Sequence, residues 1–118
     1  MERKLTAIMF TDIVGYSKIM STNEKVGLEL LDSQSELVLP IIKNCKLAVC
    51  NDSSFSHFSA SLGVPTIVLM CDTPLLYGNY SPKMHPILPD DIQYVSHGSN
   101  GKDKINPDKI VKKAAHLK

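Results

Sequence analysis

The chain reads as an α/β protein, a small three-layer Rossmann-like sandwich with a mostly parallel sheet, on three observations. Short runs at residues 5–13, 47–51 and 66–70 are dense in Ile, Leu, Val and Met, as strands buried on both faces are. Between them lie stretches with helical signals, including an apolar repeat near 3.6 residues through Val26, Leu30, Leu31, Leu37, Val38 and Ile41. Strands alternating with helices imply parallel pairing, and right-handed crossovers lay the helices on the faces of the sheet. At 118 residues this is one domain, 1–118, long enough to bury roughly two thirds of its surface on folding.

Taken in order, the first strand ends where Val14-Gly15-Tyr16-Ser17 breaks the apolar run. Ser21-Thr22-Asn23-Glu24 has the form of a capping box, in which a hydroxyl and a carboxylate three residues on satisfy orphan amides reciprocally. A long amphipathic helix comes next, and Pro40, which lacks an amide, is expected to kink or end it. Strand 47–51, helix 54–62 and strand 66–70 are joined by short turns, the second at Gly63-Val64-Pro65. Residues 71–86 carry Pro74, Gly78, Pro82 and Pro86 and read as a long loop. A short strand is expected at residues 92–95 and a polar surface loop at 96–104. Asn106-Pro107-Asp108 supplies an N-cap, a proline at the first helical position and an early acid. Lys112, Lys113 and His116 then fall at the negative end of a last helix.

The 13 basic side chains nearly balance the 12 acidic ones, giving a formal charge of +1. No basic block with interleaved aromatics occurs, so nucleic acid is not an expected partner. Lys109, Lys112 and Lys113 read as the solvated face of the last helix. Cys45, Cys50 and Cys71 form no CxxC pair and leave an odd thiol, which suits a reducing compartment. No run approaches about eighteen apolar residues, and Met1-Glu2-Arg3-Lys4 leads straight into a strand, so no membrane span is expected and the location expected is cytoplasmic. His85, His97 and His116 lack carboxylate or cysteine partners at ligand spacing. Met9, Met20, Met70 and Met84 read as core or loop fillers.

Residues 4–40 run Lys-Leu-Thr-Ala-Ile-Met-Phe-Thr-Asp-Ile-Val-Gly-Tyr-Ser-Lys-Ile-Met into the long helix. This stretch resembles the start of class III adenylate/guanylate cyclase domains. The resemblance implies that Asp12 and the carbonyl of Ile13 are metal ligands for Mg²⁺ on a triphosphate, because Mg²⁺ takes hard carboxylate and phosphate oxygens. The cyclase pattern stops near Pro40. Asn51-Asp52 lies near where the second metal ligand is expected, but the residues after Asp52 depart from that pattern, and Asp12 as a plain turn residue is the competing reading.

Residues from about 38 onward contain Ile41-Ile42-Lys43-Asn44-Cys45, then Asp52-Ser53-Ser54-Phe55-Ser56-His57, then Ala60-Ser61-Leu62-Gly63-Val64-Pro65, and later Tyr77-Gly78-Asn79-Tyr80-Ser81-Pro82. This series resembles the C-terminal part of glycosyltransferase family 9, the lipopolysaccharide heptosyltransferases of GT-B architecture. The resemblance implies a nucleotide-sugar bound by Asp52, Ser53, Ser54, His57 and Thr73. A helix that starts just past a strand end aims its first amides at a pyrophosphate, and open α/β sheets bind ligands beyond their strands' carboxyl ends. Two departures weaken that site. Ser54 stands where the family has glycine, and Cys71-Asp72-Thr73 replaces its Gly-Pro-Thr turn, placing a carboxylate near the pyrophosphate. Asp52 as only an N-cap and His57 bonded to neighbouring backbone remain alternatives, as does loop packing for Tyr77 and Tyr80.

The two resemblances meet at residues 37–44, so the chain reads as a hybrid or chimera with a cyclase-like part, 1–40, and a glycosyltransferase-like part, 41–118. Three readings stand side by side. One is an incomplete glycosyltransferase-like domain that binds a nucleotide-sugar weakly without turnover, since the family's acceptor domain lies outside these residues. The others are a recombined scaffold with no ligand, and a cyclase-derived fragment binding Mg-ATP, with a homodimer through the first helix as an option. No catalytic residue is assigned, and Mg²⁺ is the cofactor only if the cyclase-like site functions.

Overall fold

The computed structural model describes residues 16–99, 101 and 104–117. The expected first strand, with Asp12 and Ile13, lies outside the described residues. The chain divides into two compact units, one ending at Leu37 and the other starting at Val38.

In the first unit, helix α1 spans Tyr16–Thr22, and helix α2, Glu24–Lys43, begins after a single intervening residue. The turn between them is tight: the Asn23 amide donates to the Ile19 carbonyl at 2.7 Å, and the Gly27 amide returns to the Asn23 carbonyl at 3.1 Å. Ser21, expected to cap the long helix, instead lies in the last turn of α1, where its hydroxyl donates to the Lys18 carbonyl at 2.8 Å. The cap is Asn23, whose Oδ1 accepts from the Val26 amide at 3.3 Å. The capping-box reading failed because Asn and Ser are near-equal caps, and a short helix preceding the site claimed the serine. Pro40 lies inside α2, which ends three residues later at Lys43. There the Asn44 side-chain amide donates to the Pro40 carbonyl at 2.8 Å.

The second unit contains a three-stranded, wholly parallel sheet in the order β1-β2-β3, with β1 at Ala48–Asn51, β2 at Thr66–Leu69 and β3 at Met84–Ile87. Helix α3, Ser54–Ser61, makes the crossover from β1 to β2 and packs on both. Helix α4, Pro107–His116, packs against β2. Register pairs Ala48 with Thr66 and Thr66 with Met84, so alternate residues of all three strands share one face. Thr66 meets α3 through Ser59, at 2.8 Å between hydroxyl oxygens. His85 lies on the opposite face, where Lys113 of α4 is close enough to influence its charge. The layering expected from the sequence, helix on sheet on helix, is present. Among the described residues, no helix is long and apolar enough to cross a membrane.

Two apolar clusters hold this unit. Val38 and Ile42 of α2 pack with Val64, Ala48, Phe55, Phe58 and Leu62, while Ala60, Val68, Met70, Met84 and Val95 form the other. Ile67, Val68 and Met70 are fully buried, and each such side chain stabilises the fold by roughly 1.5–3 kcal/mol. The glycine at 78 is required by close approach, since a Cβ there would collide with the Met70 sulfur and stand 3.2 Å from Val68 Cγ1.

Two expectations fail in the stretch after β2. Residues 71–86 are not one loop: a short 3₁₀ turn, η1, occupies Leu75–Gly78, and β3 begins at Met84. Pro86 concealed β3, yet it is tolerated because β3 is an edge strand among the described residues. Lys83 and Ile87 direct their carbonyls at β2, to the amides of Thr66 and Met70, so Pro86 occupies an outward position where no amide is needed. Residues 92–95 form no strand. Asp91, at φ 60°, breaks the extended path, and Ile92 and Val95 reach the core from a loop instead.

Helix α3 stops at a glycine in the left-handed region, Gly63, with φ 80°. The Val64 amide donates to the Ser59 carbonyl and the Gly63 amide to the Ala60 carbonyl, each at 3.0 Å, and Val64 then enters the core beside Phe58. This is a Schellman arrangement with its apolar contact. We expect Gly63→Ala to destabilise the fold by about 1 kcal/mol, from the left-handed penalty on a side chain, measured by urea denaturation. An unchanged midpoint would mean that the turn does not hold this conformation in solution.

Candidate functional site

The carboxyl ends of β1 and β2 lie side by side because the register pairs Asn51 with Leu69. Each strand therefore releases its following turn at the same edge, residues 52–53 from β1 and 71–73 from β2. Thr73 donates its hydroxyl to Asp52 Oδ2, joining the two turns. Both side chains are half-buried, so a charge-assisted bond there is stronger than one in open water.

Ser53 is the N-cap residue of α3, with extended backbone (φ −154°, ψ 176°), but its hydroxyl makes no capping bond. Its carbonyl accepts instead from the Ser56 amide at 3.0 Å and the Ser56 hydroxyl at 2.7 Å. The reading of Asp52 as the cap is likewise not what the structure shows, since Ser53 holds that position. Ser54 opens the helix, exposed and with no left-handed backbone. A serine therefore fits there without strain, and its Cβ only narrows the approach to the backbone. The first amides of a helix have no intrahelical acceptor, so Ser54 and Phe55 present N–H groups at this edge.

His57, one turn into α3, is half-buried. Its Nδ1 is hydrogen-bonded to the Tyr80 hydroxyl, and the two rings stack at 5.6 Å between centroids and 14° between planes. The sequence offered backbone bonding as the alternative for His57 and loop packing for Tyr80. The pairing between them spans 23 positions, and no local pattern signals it. Tyr77 makes a looser ring contact with His97, at 6.2 Å and 50°.

Behind the site the polar groups are closed off. Thr66 and Ser59 share a buried hydrogen bond, and Ser59 also donates back to the Phe55 carbonyl at 2.9 Å. Burial pushes the Cys50 thiol up to about 11, a hydrogen bond with Ser59 opposes this, and the Asp52 charge adds to it. At neutral pH Cys50 is a neutral thiol, neither a nucleophile nor a second anion beside Asp52. On the far face, burial and then the charges of Lys113 and Lys83 hold His85 below its ordinary value.

The structure thus brings Asp52, Ser53, Ser54 and Thr73 to one edge, while His57 stands one turn along α3 and is held to Tyr80. Asp12 and Ile13 are outside the described residues, and among the described residues no group of three or more His, Cys, Asp or Glu is arranged to hold a metal ion. As a chemical surface the edge offers helix amides, an uncommitted serine hydroxyl and a carboxylate. These are donors for phosphate oxygens and an acceptor for hydroxyls.

Comparison with protein families finds a match to glycosyltransferase family 9 (heptosyltransferase) over residues 35–114, more than half of the chain and all of this edge. Comparison with curated proteins and with solved structures finds no match.

The two helix caps make a controlled pair. Asn106 does cap α4, its Oδ1 accepting from the Asp108 amide at 2.9 Å. Asn106→Ala should therefore cost about 1 kcal/mol, whereas Ser53→Ala should stay within about 0.5 kcal/mol in the same denaturation assay. Equal losses would show that the Ser53 hydroxyl caps α3 after all.

Proposed function

The chain belongs to glycosyltransferase family 9, the heptosyltransferases, and from that premise we propose that its strand-end edge binds a nucleotide-sugar, with the pyrophosphate at the start of α3. The observation that carries this reading is the Ser53 hydroxyl, which stands at an N-cap position without capping. Together with the Ser54 and Phe55 amides it forms a donor set at the positive end of a helix, the arrangement that receives phosphate oxygens. Asp52 keeps Oδ2 on Thr73, and Oδ1 is the natural acceptor for sugar hydroxyls.

Binding is weak on this account. Ser54 narrows the approach to the backbone where the family has glycine, and Cys71-Asp72-Thr73 replaces the family's Gly-Pro-Thr turn. The assigned role is binding rather than turnover. Tyr80 occupies the Nδ1 lone pair of His57, and Asp52, with Oδ2 on Thr73, has its other oxygen assigned to the donor sugar. Assays with ADP-heptose and a lipid A core acceptor, or with ATP and Mg²⁺, are expected to read background.

Titration with ADP-heptose, followed by amide chemical shifts, tests the site. Changes should centre on residues 53–57, and Asp52→Ala should weaken binding about tenfold, the loss of a hydrogen bond to a charged group. Changes confined to the neighbourhood of Asp12, appearing with ATP and Mg²⁺ only, would reject the nucleotide-sugar reading.

A further inference from the structure

We infer that Tyr80 is a positioning residue for His57: its hydroxyl donates to Nδ1 and holds the neutral imidazole as the Nε2–H tautomer, so that the ring's other nitrogen is a fixed N–H donor with no lone pair. What that donor meets rests on the nucleotide-sugar reading above, but the tautomer is a property of the ligand-free protein.

Three features of the pair lead there. First, the hydrogen bond joins Nδ1 to a phenol oxygen, and both atoms can donate or accept. The proton belongs to the phenol, because the phenol is a far stronger acid than a neutral imidazole N–H, while the imidazole lone pair is a good base. The bond is thus O–H to Nδ1, and neutrality of the ring then puts its own proton on Nε2. Second, the near-parallel stack of the two rings fixes the orientation. Turning the imidazole over would place a carbon where Nδ1 now accepts, losing the bond. Third, the two residues come from separate elements, His57 from α3 and Tyr80 from the segment after η1. The contact therefore fastens that segment to the helix that opens the site.

The chemical consequence is specific. A histidine in this tautomer binds oxygen acceptors at neutral pH without needing a second proton. It cannot act as a general base through Nε2, whose lone pair is absent. The helix amides are donors as well and the Ser53 hydroxyl can donate, so the α3 side of the edge is matched to an acceptor-only group such as a phosphate, with the Asp52 carboxylate left for hydroxyls. His57 acts as a binding group for phosphate oxygens, and Tyr80 acts through it.

Histidine-selective ¹⁵N labelling of the whole chain at pH 8, with no ligand, reads the tautomer directly. In the native chain the His57 Nε2 should resonate as a protonated nitrogen and Nδ1 as an unprotonated one. Tyr80→Phe should move both toward the averaged values of exchanging tautomers while the amide spectrum of β1 and β2 stays in place. A proton on Nδ1 in the native chain, or an unchanged pattern in Tyr80→Phe, would overturn the assignment. With ADP as the probe, Tyr80→Phe should weaken binding about threefold or more, the scale of one neutral hydrogen bond. His57→Ala should itself weaken ADP binding and make Tyr80→Phe silent when the two are combined, because Tyr80 acts only through the ring. An equal loss from Tyr80→Phe in both backgrounds would show a merely structural role and overturn the proposal. Absence of ADP binding to the native chain would instead reject the nucleotide-sugar reading, with the tautomer still decided by the spectra.

Discussion

The parallel register between β1 and β2 is the constraint on which the site depends. Pairing Ala48 with Thr66 and Asn51 with Leu69 obliges the chain to leave β1 at one edge and return to the other end of β2. Helix α3 makes that return in eight residues, and Gly63 turns the chain back. The same register sets Ala48, Cys50, Thr66 and Val68 toward α3. A slip of one residue would send that set to the other face, away from α3. Because the strands end level, the turns carrying Asp52 and Thr73 emerge together, and the N-terminus of α3 opens beside them.

Serine chemistry then divides the helix. Four of the eight residues of α3 are serine, a residue that competes with helix formation by bonding local backbone. Ser56, Ser59 and Ser61 bond backward to carbonyls of the preceding turn, and Ser59 also meets Thr66 in the core. Their polarity is satisfied inside the fold. Ser53 is different: its carbonyl is engaged and its hydroxyl is not used as a cap. Beneath them, Cys50 stays neutral because burial and Asp52 both resist its ionisation, so the edge carries no needless second negative charge from that strand.

Much of this was legible in the amino-acid sequence, for identifiable reasons. The apolar runs at β1 and β2, the Gly63-Val64-Pro65 turn and the Asn106-Pro107 helix start are local signals, and each element lies within a residue or two of its expected bounds. The grouping of Asp52, Ser53, Ser54, His57 and Thr73 came from the resemblance to glycosyltransferase family 9, and the strand-to-helix junction gave it a physical reason. Three features were hidden. Pro86 disguised β3, because a sequence does not reveal that a strand is at an edge. Ile92 and Val95 read as a strand since apolar residues reach a core equally well from a loop. The bonds from Thr73 to Asp52 and from Tyr80 to His57 span 21 and 23 positions, and such contacts exist only once the strands are in register.

The central claim is that the turns after β1 and β2 are clasped into one site by Asp52 and Thr73. A double-mutant cycle with Asp52→Ala, Thr73→Val and the pair, read as unfolding free energy in urea, tests it most directly. The clasp predicts a coupling energy of about 1–2 kcal/mol, within the range for residues in direct hydrogen-bonded contact. Losses that add to within about 0.3 kcal/mol would contradict it, and would mean that the two turns lie at the same edge without forming a single site.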